Sequence, residues 1–170
     1  ASPRVFSYLQ HNVSINNCRN IIIENFALSV KDNEQVSFYS PEEKFGKGSM
    51  SAVFTDKEEL ITTITVDTLL EKHKINRVDC IKIDVEGYES LVFSGGRRLL
   101  SREDAPGVLF EFASWAENLA KQVTAGDSQR ILVDCGYRLY DVNNTGKPVP
   151  LPGILTSGGG MLWADKKPVK

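Results

Sequence analysis

The segment CIKIDVEGYES, residues 80 to 90, alternates apolar and charged side chains up to Asp84 and then sets Glu86 and Glu89 around Gly87. A stretch that reads as a buried strand thus ends in negative charge. Where strands alternate with helices in an open sheet, ligands bind in the crevice at the strands' carboxyl ends. Asp84 is the last residue of the strand expected here, and Glu111, in PGVLFEF, is the matching acid at the end of the next one. If the two strands are neighbours, both acids share one rim. Two acids so placed could share a proton, activate a hydroxyl as general base, or hold a divalent metal. Glu86 and Glu89 also have a purely structural explanation, because acids in a first helical turn complement the macrodipole by ~0.3–1 kcal/mol each. That explanation serves Asp84 less well.

Other chemistries lack their residues. The three cysteines, Cys18, Cys80 and Cys135, are odd in number and widely spaced, so they give neither a disulfide framework nor metal-type spacing. They read as packed thiols in a reducing, cytoplasmic setting. His11 and His73 fall in helical segments and read as solvated or packed side chains. No P-loop and no G-x-S-x-G elbow occurs. A net charge of −2 on 170 residues leaves no electrostatic footprint for nucleic acid or an anionic membrane. No apolar run reaches the length of a membrane span, and ASPRVFSYLQHN has no signal-peptide pattern.

The elements that must position these acids read as one α/β domain with a largely parallel sheet. Ser2 and Pro3 open a helix as N-cap and first helical residue, with Val5, Phe6, Leu9 and Val13 on one face. IIIENFALS suits a strand buried on both faces. QVSFYS, SAVFTD and LITTITV are β-type segments, which makes residues 35 to 66 a hairpin insertion around the loop PEEKFGKGSMS. VDTLLEKHKIN reads as a short amphipathic helix. GYESLVFSGGRRLL reads as a helix broken at Gly95-Gly96, and SWAENLAKQVTAGDSQRILVDCGY as one helix ending at Gly136. RLYDV and GGGMLWADK are late strands, with Trp163 in the core, and KKPVK is a frayed tail.

Several blocks follow one another in a familiar order: SPRVFSYLQHNVSIN, ENFALS, TVDTLL, IKIDVEGYESLVFSGGRRLL, PGVLFEF and CGYRLY. This succession resembles the FkbM family of S-adenosylmethionine-dependent methyltransferases over most of residues 2 to 142. The block built on KIDVEG, a glutamate and an apolar helix is the most specific part. Departures inside it are small: Ser94-Gly95-Gly96 where one glycine and a small residue are usual, and Phe93 where an aliphatic residue is common.

The resemblance implies a Rossmann-like class I methyltransferase sheet of strand order 3-2-1-4-5-7-6. It also implies S-adenosylmethionine as cofactor and a small-molecule hydroxyl acceptor, such as a sugar or another hydroxylated metabolite. On this reading Asn25, Ala27 and Leu28 border the adenine ring, Asp84 and Glu86 face the sulfonium and the acceptor, and Glu111 stands beside them as a second rim acid. Asp84 is the leading candidate for general base. Family members start with a strand, a D-x-G-A-N-x-G-type loop and a second strand ending in an acid, and the chain matches none of these. The expectation is therefore a partial domain from a longer protein, with IIIENFALS and CIKID left unpaired on their facing edges. Unsatisfied backbone groups on such edges cost ~1–3 kcal/mol each when buried. Two other classes stay open: a methyltransferase-like interaction domain without activity, and a metal-dependent hydrolase built on the acids of DVEGYE.

Overall fold

A computed structural model of the chain describes residues 1–44, 46–142 and 147–168. Helix α1 (Pro3–Ile15) begins at Pro3 as its sequence predicts. Ser2 makes no side-chain cap and instead donates its hydroxyl to Glu59, 3.1 Å away. Strand β1 (Ala27–Leu28) is followed by β2 (Gln35–Tyr39) and β3 (Glu58–Ile64), and then by α2 (Val66–Lys72), whose N-cap Thr65 accepts the N–H of Thr68. Strand β4 (Cys80–Ile83) leads into α3 (Glu89–Ser94) and α4 (Arg97–Leu100), separated at the glycine pair. Then come β5 (Gly107–Ala113), α5 (Ser114–Leu119), α6 (Asp127–Asp134), β6 (Arg138–Asp141), β7 (Val149–Pro150) and β8 (Gly159–Asp165).

Two sheets result, one ordered β1-β3-β2 and the other β4-β5-β8-β6-β7. The second holds the core. Val108, Phe110 and Phe112 of β5 are fully buried, and Phe93 of α3 meets Phe110 edge-on with ring centroids 5.4 Å apart. Leu132 of α6 and Leu162 of β8 close the same cluster. Burial of this kind on both faces is what a near-continuous apolar run such as GVLFEFA demands.

Five sequence expectations need correction. The sheets are mixed rather than mostly parallel: β1–β3 and β4–β5 run parallel, whereas β2–β3, β5–β8, β6–β8 and β6–β7 run antiparallel. A parallel return needs a long crossover, usually helical. Among the described residues no helix lies between β6 and β8, so the chain comes back beside β6 in the opposite sense. The strand expected over IIIENFALS shrinks to two residues paired with β3, and Ile21 and Ile22 stand 47% and 63% exposed. Their backbone has no strand beside it to extend the ladder.

SAVFTD bends across the surface instead of pairing. The long helix expected from Ser114 to Cys135 is two helices, because Gln122 (φ 63°) and Gly126 (φ 92°) take left-handed backbone between them. Asp127 accepts the N–H of Thr124 there at 2.8 Å and restarts the helix. Trp163, expected in the core, is half-buried. Of the expected loop NNTGKPVPLPG, residues 143–146 lie outside the described residues, as do the last two of the tail. Among the described residues, no helix is long and apolar enough to cross a membrane.

Candidate active site

The parallel register of β4 and β5 sets Ile83 opposite Phe110, so the next residue on each, Asp84 just past the end of β4 and Glu111 near the end of β5, stand side by side toward the carboxyl end of the sheet. Their carboxyl groups lie close enough for the charge of one to act on the other. Burial pushes the Glu111 carboxyl above the usual carboxylate range, and the negative charges of Asp84 and Glu86 push it further. The Lys47 ammonium opposes them. A carboxyl set beside other negative charge gives up its proton less readily. Asp84 keeps an outward partner as well, accepting Lys82 Nζ at 2.7 Å.

Beyond Asp84 the backbone makes a tight turn. Glu86 (φ 53°) and Gly87 (φ 98°) are both left-handed, and the turn packs so closely on α5 that a Cβ at Gly87 would stand 2.5 Å from the backbone of Ala116. Glu86 is thereby carried inward, only 9% exposed, and accepts Lys47 Nζ at 3.1 Å. Lys47 comes from the connection between β2 and β3, with its ammonium 5.1 Å from the ring centroid of Phe54. Ser51 of the same connection lies 2.8 Å from the Tyr88 hydroxyl and donates to the Leu119 carbonyl at 3.1 Å. The hairpin insertion therefore lies against the acid rim.

Next to the rim opens a cavity of about 320 Å³, walled by Phe26, Ala27, Leu28, Phe38, Asp84 and Val85 among others. Its size is at the lower end of ordinary small-molecule sites, and its mixture of apolar wall and a few polar groups is typical of them. Three sequence-predicted residues, Ala27, Leu28 and Asp84, meet in its lining. Glu86 and Glu111 join Asp84 in the acid cluster behind that lining. Asn25 does not line the cavity, and its Oδ1 is buried without a hydrogen-bond partner. Among the described residues, no three His, Cys, Asp or Glu side chains are grouped so as to hold a metal ion. His73 instead pairs with Glu24 at 2.6 Å, and the three cysteines are free.

Lys47 was invisible to sequence reasoning as a site residue. The only signal was its place between Gly46 and Gly48 in the loop of the hairpin insertion. Its charge is a lever on the rim. Lys47→Met removes a cation that draws the Glu111 carboxyl downward, so the carboxyl ¹³C resonance of Glu111 titrates at higher pH in the variant. An unmoved midpoint would detach Lys47 from the acid pair.

A family model described as the methyltransferase FkbM domain matches residues 1–139. No curated protein and no solved structure matches the chain.

Proposed function

The chain belongs to the FkbM methyltransferase family, and from that premise we propose that the full-length protein O-methylates a small hydroxylated metabolite or sugar, with S-adenosylmethionine as methyl donor. The observation that carries this reading is the placing of Asp84 and Glu111 side by side toward the carboxyl ends of two parallel strands, beside a cavity walled by Ala27 and Leu28. The residues suit the donor: Phe26, Ala27 and Leu28 offer apolar surface to a purine, and the rim acids offer negative charge to a sulfonium. Bound S-adenosylmethionine supplies an electrophilic methyl group.

The chain's own residues supply the rest. Transfer to oxygen requires the acceptor hydroxyl to lose its proton, and a positioned carboxylate contributes ~10²–10⁴-fold as general base. Asp84 takes that role because it alone belongs to both the acid pair and the cavity wall. Glu111, its carboxyl pushed up by burial and by the negative charges of Asp84 and Glu86, stands beside it as the second rim acid. Glu86 adds negative charge at the mouth and fastens the insertion through Lys47. Orientation by the walls and by the insertion lowers the barrier further.

The fold reading that goes with this function is a Rossmann-like methyltransferase sheet. In its support, β4-β5-β8-β6 run in the order that strands 4-5-7-6 of such a sheet would take. Among the described residues, β4 and β1 each have a strand on one side only, and these edges would accept a strand–helix–strand unit. The free cysteines support a cytoplasmic setting.

Incubating the full-length protein with S-adenosylmethionine labelled in its methyl group and pooled hydroxylated metabolites should yield a labelled ether. Binding of the donor with no label transferred to any pool would favour an inactive interaction domain, and absence of donor binding would end the methyltransferase reading.

A further inference from the structure

Glu89 takes no part in the chemistry above, yet it is 1% exposed. It stands at the start of α3 and reaches back, its Oε1 accepting the Val85 N–H at 2.9 Å. The chain between them contains the two left-handed residues, Glu86 and Gly87, and strained backbone of this kind persists only where its surroundings hold it. Two ties hold it here. One is the contact of Gly87 with the backbone of Ala116 and Glu117, and the other is the Glu89 carboxyl group.

We infer that Glu89 is a positioning residue whose ionised carboxylate pins the 85–87 turn and so keeps Asp84 and Glu86 at the mouth of the cavity. The inference rests on reading that cavity as the methyl-transfer site. A group needed for packing alone would serve better uncharged. Among the described residues no lysine or arginine pairs with Glu89, and the acids facing it are Glu117 of α5 and Glu111 of β5. On the turn itself, Glu86 is already engaged by Lys47.

Burial, and then the charges of Glu117 and Glu111, push the Glu89 carboxyl up to about 7 against the pull of the Val85 N–H and its own N–H. Its folded state therefore holds the proton more tightly than the unfolded chain. The stability this contributes is complete below the ordinary carboxylate range and is lost as pH rises through about 7. An ionised acceptor nevertheless makes the stronger hydrogen bond to Val85. The form that pins the turn is the form the fold tolerates least.

Glu89→Gln in the full-length protein separates these effects. The variant should melt like the wild type in mild acid and above it at alkaline pH, yet bind S-adenosylhomocysteine roughly tenfold more weakly there, the loss of about one charge-assisted bond. Wild-type affinity should fall as pH drops through neutrality, while that of the variant stays flat. In the wild type, the Glu89 carboxyl ¹³C and Val85 amide resonances should share one midpoint near neutral pH. Binding by the variant equal to wild type at alkaline pH, or a Val85 amide that ignores the Glu89 titration, would overturn the inference. If the variant does not fold, the wild-type titration decides alone. If wild type binds no S-adenosylhomocysteine at any pH, the donor reading fails, and the shared midpoint still decides whether Glu89 pins the turn.

Discussion

Asp84→Asn lowers methyl transfer by the full general-base contribution, roughly 10²–10⁴-fold, and shifts stability by only about 0.5 kcal/mol. Asparagine keeps the shape and the hydrogen-bonding reach of aspartate but cannot take the acceptor's proton. The small stability effect follows from exposure: the Asp84 side chain is 41% exposed and its ion pair with Lys82 is open to solvent, a setting in which such pairs contribute little. The substitution also removes a negative charge that raises Glu111, so the Glu111 carboxyl falls back toward the ordinary carboxylate range. A labelled-methyl assay with a pH–rate profile, set beside a thermal melt, reads all three effects. Turnover equal to wild type would pass the role of base to Glu111 and leave Asp84 as an orienting group.

Gly87→Ala has the largest effect on the fold. At φ 98° a side chain is disfavoured by roughly 1–2 kcal/mol, and the added methyl would press on the Ala116 backbone, which has no rotamer to yield. The sum is a destabilisation of about 2–4 kcal/mol, in the range that point substitutions reach through strain and overpacking. Denaturant unfolding measures it, with Gly46→Ala as the control, since nothing lies within 4 Å of a Cβ there. A change within about 0.5 kcal/mol would mean that the turn and α5 move apart freely, and the pinned geometry of Glu86 would go with them.

Both predictions concern a segment whose importance was legible early. DVEG follows an alternating strand, and a strand that ends in acids is legible from period and residue type alone. The succession of blocks from SPRVF to CGYRLY carried the family, which the match over residues 1–139 bears out. The break at Gly95-Gly96 and the helix stop at Gly136 were also readable, because glycine acts through local backbone freedom. Less legible were features decided by what a strand lies beside. IIIENFALS has ample β propensity, but it pairs only where β3 meets it. The direction of β8 depends on the route the chain takes back from β6, which residue types do not encode.

Residue type and order, then, determined the family, the positions of most strands and helices, and the candidacy of Asp84, Glu86 and Glu111. These follow from local periodicity, turn chemistry and motif, each written within a few residues of chain. Only the tertiary structure decided that Asp84 and Glu111 stand side by side, that Lys47 reaches Glu86 across 39 positions of sequence, and that Glu89 is buried against two other acids. The physical reason is the same in each case. Charge interactions and desolvation depend on distance through space, and the register of β4 on β5, the left-handed turn at Glu86 and Gly87, and the closure of the insertion set those distances.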